Sequence, residues 1–173
     1  MVQHSQGTGS QQSQNNQRKI QGWLMGEGWQ GGEERPPEAL WAWSATDKGG
    51  RKLVVAQRSD RPDMILIQAG IITGDNVRRH ISAMNLQERR AFYLDLQYTL
   101  LQMGVEYTNI ADPFEMVSVV QRIYSEALVR DAFIQRIILI RNAQVMILLK
   151  IGSLMNEPPI APTEPPPMGF QPS

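Results

Sequence analysis

The chain has no cysteine and only two histidines in 173 residues. Without thiols it forms no disulfide, offers no thiolate nucleophile and gives no sulfur ligand to zinc or an iron–sulfur cluster. Two histidines leave little for a His-rich metal site or a Ser–His–Asp arrangement. A charge excess is missing as well. The 17 Lys and Arg residues balance 17 Asp and Glu, whereas a dedicated nucleic-acid binder carries a strongly basic domain. Long apolar runs are absent. The longest spans 145–149, five residues, against about 20 for a membrane-crossing helix. No basic start followed by an apolar run marks an export signal, since the first basic residue is Arg18. A cytoplasmic protein without membrane insertion is expected.

What is present divides into three stretches. Residues 1–17 hold six Gln, three Ser, two Gly and two Asn and no charged side chain. Such a composition buries too little apolar surface to offset chain ordering, so a disordered tail is expected. Residues 157–173 hold seven prolines, and an extended, partly polyproline II tail is expected there. Its Pro162-Thr163-Glu164-Pro165 matches PxxP, which reads first as dense proline and second as a ligand for an aromatic groove. Between them, 18–156 is long enough for one domain. It carries 17 basic and 15 acidic residues.

Hydrophobic periodicity orders the elements of this domain. Ile20, Trp23 and Leu24 predict a short amphipathic helix over 18–26, followed by a glycine-rich connector. Trp41 and Trp43, two apart, place both rings on one face of a strand over 40–45. Asp47-Lys48-Gly49-Gly50 turns the chain into a second strand, 52–58. Residues 64–67 are apolar at every position, which predicts a central strand. The period then changes. Val77, Ile81 and Met84 predict a short helix capped by Thr73 or Asp75. Asn85-Leu86-Gln87-Glu88 fits a capping box opening a helix to about Met103, with Gly104 closing it. Strands are expected over 105–111 and 115–124, and a long helix over 130–154.

That last helix carries more apolar surface than one contact with a sheet consumes. Ile137 to Ile140 alone cover every side of a turn, where a helix on a sheet needs a stripe of about 100°. Either it is enclosed within the monomer or it also meets a second chain. The second reading is preferred, with Phe133, Ile137, Ile140, Met146, Ile147 and Ile151 as the dimer or partner interface.

The order is thus α-β-β-β-α(α)-β-β-α, an α+β fold with an antiparallel five-stranded sheet packed by helices. This order, with the stretches GWLMGEGW, LVVAQ, MILIQAGI, ERRAFYLDLQYTLL and VVQRIYSEALVRDAFIQRI, resembles the class I type III secretion chaperones. More narrowly, it resembles an uncharacterised prokaryotic domain family with that fold. The resemblance spans about 20–154. It implies a small domain, often a homodimer, that binds segments of other proteins without a cofactor, and it carries over no catalytic residue.

The candidate chemistry is sparse. Gly26-Glu27-Gly28-Trp29-Gln30-Gly31 matches GxGxxG, yet a helix precedes it and a strand follows, the reverse of a dinucleotide site. His80 lies beside Arg78 and Arg79 with no nucleophile at a recognisable spacing, and reads as an exposed helix residue. The carboxylates flank turn prolines and lack the spacing of a calcium loop. No cofactor, no metal and no catalytic residue is therefore expected. Arg78, Arg79, Arg89 and Arg90 read first as a solvated face paired with Asp75, Glu88 and Asp95. The alternative is an acidic partner or phosphate, because Arg89 and Arg90 sit where a helix dipole disfavours cations. Trp23, Trp29, Trp41 and Trp43 read first as core. The alternative is that Trp41 or Trp43 lines an apolar groove for a partner peptide. Together these features point to a non-enzymatic protein-binding module, chaperone-like or an adaptor, acting as a homodimer. Phosphate or nucleic-acid binding through the Arg pairs is the second reading.

Overall fold

The computed structural model describes residues 6–34 and 36–156. In chain order the elements are α1 (Gln6–Gly26), β1 (Gln30–Glu34), β2 (Ala39–Thr46), β3 (Lys52–Arg58), β4 (Met64–Ile72), α2 (Asp75–Ala83), α3 (Leu86–Gln102), β5 (Glu106–Thr108), β6 (Met116–Tyr124) and α4 (Arg130–Asn156). A short 3-10 turn, Ser125–Ala127, joins β6 to α4. The strands form one antiparallel sheet in the order β1-β2-β3-β4-β6-β5.

The sheet has six strands where five were expected. The added strand, β1, lies in the glycine-rich stretch that reads as a connector. Glycine disfavours strands by itself. Here it is required by packing: a Cβ on Gly31 would collide with the Ser44 carbonyl of β2 and lie 2.9 Å from Trp43 Nε1. β5 is shorter than expected, ending at Thr108 because Asn109 turns into the left-handed region at φ 64°. β4 lies between β3 and β6, as its unbroken apolar stretch predicts.

α1 also departs from expectation. It begins at Gln6 and not near Arg18, so the glutamine-rich stretch is helical over its described part. Two of its polar side chains find partners far away in sequence. Ser13 Oγ–H donates to Gln57 Oε1 at 2.7 Å, and Asn16 Nδ2–H reaches Ser125 Oγ at 3.4 Å. Composition misses this because the compensation is tertiary. Ile20 and Leu24, fully buried, anchor the rest of the helix. The Pro-rich stretch 157–173, with its PxxP match, lies outside the described residues.

The capping box is present: Glu88 N–H donates to Asn85 Oδ1 at 2.9 Å and Asn85 N–H to Glu88 Oε2 at 3.1 Å. α2 differs, for Gly74 is its N-cap and no side chain caps it. Thr73 instead donates its hydroxyl to the carbonyls of Phe114 and Glu115, tying α2 to the start of β6.

One sheet face carries Leu53, Val55, Ile65, Ile67, Val117 and Val119, each at most 1% exposed. α4 lies across β4 and β6 on this face and touches α1, α2 and α3. The opposite face carries Ser44, Val54, Ala56, Leu66 and Val120, all half-buried, with Ala42, Met64 and Ser118 more deeply buried among them and Gln68 exposed. Among the described residues no helix packs on it.

α4 is long and apolar enough, by length and composition, to cross a bilayer. Short polar interruptions, Gln135-Arg136, Arg141-Asn142 and Lys150 among them, break its runs without making the helix polar overall. Its side facing the sheet is part of the domain core; Arg136 and Lys150 are hydrogen-bonded within the chain, and Arg141 lies 3.6 Å from the Asp47 carboxylate as an ion pair.

Candidate functional site

The six residues expected at a dimer or partner interface are mostly enclosed. Phe133, Ile137, Ile140, Ile147 and Ile151 lie within the chain's own core, and Met146 is half-buried. This corrects the interface assignment. Phe133, Ile137, Ile140, Ile147 and Ile151 fall at multiples of about 3.6 residues along the stripe that faces the sheet, so burying them is what holds α4 in place.

The uncovered apolar residues of α4 are different ones. Ile138, Val145 and Leu149 follow at i, i+7 and i+11, with Leu148 beside them and 51% exposed. α3 presents a matching stripe of Leu94, Tyr98 and Leu101 at i, i+4 and i+7, opposite its buried Tyr93, Leu96 and Leu100. A bond joins the two helices: Lys150 Nζ donates to Asp95 Oδ2 at 2.6 Å. Asp95 adjoins Leu94, and Lys150 adjoins Leu149. Periodicity alone does not separate these residues from the core set, because the helix is apolar on more than one side.

Trp41 is buried, and its ring N–H donates to Gln57 Oε1 at 2.7 Å. Gln57 thus accepts from both Trp41 and Ser13, while its own amide N–H donates to the Pro62 carbonyl. A cleft of about 790 Å³ opens beside this cluster, lined by Gln12, Gln14, Gln17, Leu40, Tyr124 and Glu126 among others. Trp41 therefore lines a groove, as the second reading of the tryptophans has it, but the apolar groove expected there is not formed, since most of the residues lining this one are polar. Trp43 does not line it. It points to the same sheet face and packs half-buried against the core. Trp29 is buried, and Trp23 meets Phe133 with ring centroids 5.7 Å apart.

The Arg pairs do not form one patch of free cations. Arg78 pairs with Asp75 as expected. Arg89 pairs with Asp112 at 3.4 Å, in place of Glu88 or Asp95. Asp112 also accepts the Tyr93 hydroxyl at 2.7 Å. Burial, and then that bond to a carboxylate, push the Tyr93 phenol well above its ordinary pKa. Arg79 and Arg90 are exposed. His80 is half-buried, somewhat less open than expected. Among the described residues no group of three or more His, Asp or Glu side chains is arranged to hold a metal ion.

A family model described as an uncharacterized conserved protein, DUF2299, matches residues 16–151. The chain belongs to this family. A crystal structure of an uncharacterized protein from Methanothermobacter thermautotrophicus superposes with a TM-score of 0.75 at 21% identity. The match covers 80% of this chain and 97% of the archaeal one. At that identity the likeness speaks to the fold alone. No curated protein matches.

Proposed function

We propose that this DUF2299 domain is a non-enzymatic protein-binding module, chaperone-like or an adaptor. In this reading it acts in the cytoplasm as a homodimer that binds a segment of another protein. The observation that supports it is the pair of exposed apolar stripes on α3 and α4. Leu101 and Leu149 are 59% and 60% exposed. The fold does not use these side chains, and apolar residues left in water along two adjoining helices suit a partner's apolar segment. We also infer the class I type III secretion chaperone-like fold for the domain, to whose expected order β1 adds a strand. Phosphate binding draws less support, because Arg78 and Arg89 already serve carboxylates of the chain.

The test is co-purification from cells with in vivo crosslinking, comparing the native chain with a Leu101→Glu/Leu149→Glu variant. A partner recovered with the native chain and lost with the variant supports the assignment, given unchanged circular dichroism. Equal recovery removes the helix surface from the function. Light scattering after gel filtration tests the homodimer.

A further inference from the structure

The uncovered face of the sheet is built unlike a solvent-facing one. An antiparallel sheet with one wet face alternates apolar and polar residues. β4 does not: Met64, Ile65, Leu66 and Ile67 run apolar on both sides, although among the described residues helices cover only one. The face is also flat. Its middle is set with small residues, Ser44 and Ala56 half-buried and Ala42 only 1% exposed between its neighbours, and Met116 lies along it over Gly70.

The register shows what fits there. One row across five strands reads Glu34, Ala42, Ala56, Leu66, Arg122. The next reads Gly32, Ser44, Val54, Gln68, Val120. Both rows have β3 at their midpoint. We propose that this face is the homodimer interface, two copies stacking sheet on sheet about a two-fold axis running along β3. That axis reverses each row against its copy. Ala56 then meets Ala56 and Val54 meets Val54. Ala42 faces Leu66, small against large, and Ser44 faces Gln68, polar against polar. Glu34 faces Arg122 at both ends.

A two-fold along the rows would instead set Glu34 on Glu34 and Arg122 on Arg122, which like charges oppose. Arg122 also bonds Glu106 of its own chain at 2.7 Å. Its five N–H donors leave room for a second carboxylate. Four strand spacings and the nine residues of β4 give a footprint of roughly 19 by 30 Å. That is of the order of the half-interface of a stable dimer, about 800 Å² of accessible surface. Aligned stacking of this kind is how β-sandwiches pack.

This inference rests on the homodimer reading above, and the test separates the two. The chain has no cysteine, so Ala56→Cys and Leu148→Cys each give a single reactive thiol. Stacked sheets lie about 10 Å apart, within reach of a short bis-maleimide. Ala56→Cys is expected to convert to crosslinked dimer while Leu148→Cys stays single. Crosslinking at 148 alone keeps the homodimer and overturns the sheet face. A monomer mass by light scattering for the native chain and both variants at high micromolar concentration overturns both.

The charges give a second readout that leaves the core untouched. Glu34→Arg is expected to raise the dimer dissociation constant about tenfold or more, and adding Arg122→Glu to restore it. A single variant that dimerises like the native chain overturns the axis.

Discussion

Ile147 and Leu148 are neighbours on α4 with opposite surroundings, and truncating each to Ala separates core from surface. Ile147 has no exposed surface. Ile147→Ala removes three carbons, worth about 2.4 kcal/mol in transfer at roughly 0.8 per methylene. The cavity left between α4 and the sheet brings the expected loss to about 3–4 kcal/mol. Leu148 is 51% exposed, and water fills the space its truncation leaves, so a loss under about 1 kcal/mol is expected. Urea unfolding followed by tryptophan fluorescence reports both, since Trp23 lies against Phe133 on the same helix. With an m value of about 1.5–2 kcal/mol per molar, Ile147→Ala should lower the midpoint by about 2 M and Leu148→Ala by under about 0.5 M. Protein concentration is held fixed, because self-association adds to apparent stability. If Leu148→Ala costs more than Ile147→Ala, the assignment of α4's faces is wrong.

Three further outcomes are expected. Gln57→Leu should cost about 2–4 kcal/mol in urea unfolding, because it strands the buried Ser13 hydroxyl and Trp41 ring N–H that both donate to Gln57; a neutral result would deny that the cluster pins α1. Gly31→Ala should release β1 from β2, read as faster hydrogen exchange of the 30–34 amides with the 64–72 amides unchanged, because its Cβ meets the Ser44 carbonyl. Acid titration should weaken the β2–β3 turn. Burial of Asp47 raises its pKa, but N–H bonds from Arg51 and Gly49 and the Arg51 charge together hold it below the ordinary value. A lowered folded pKa means that this contribution is complete above the unfolded value near 3.8 and fades as pH falls through the folded value. An Asp47→Asn variant should lose stability at neutral pH and show a shallower decline in acid; an unchanged acid profile would place the titrating group elsewhere.

Much of the fold was legible along the chain. Periodicities of 2 and 3.6 located β2, β3, β4, β6, α3 and α4, and the spacing of Asn85 and Glu88 marked the start of α3. These signals are local, because neighbouring residues share one backbone geometry. The candidate site was less legible. Ile147 and Leu148 are equally apolar, and a helix that is apolar on most sides does not declare which side meets the sheet. Trp41 hinted at a groove, but its polar lining had no signal, for Gln57 is an ordinary strand residue until Ser13 and Trp41 reach it from elsewhere in the chain.

The sequence by itself determined that the chain has no thiol chemistry, that its middle is one α+β unit, and that its apolar surface exceeds what a lone helix on a sheet requires. Only the tertiary structure decided where that surface lies. Hydrogen bonds across 44 and 109 residues hold the polar, glutamine-rich start of α1 in place. A close approach that only glycine permits made a connector into β1. Helix packing on one side of the sheet enclosed Phe133 and Ile147, and among the described residues left Leu149 and the sheet face around Ala56 without a helix over them. Such choices depend on which groups meet in space, and composition and periodicity carry no record of that.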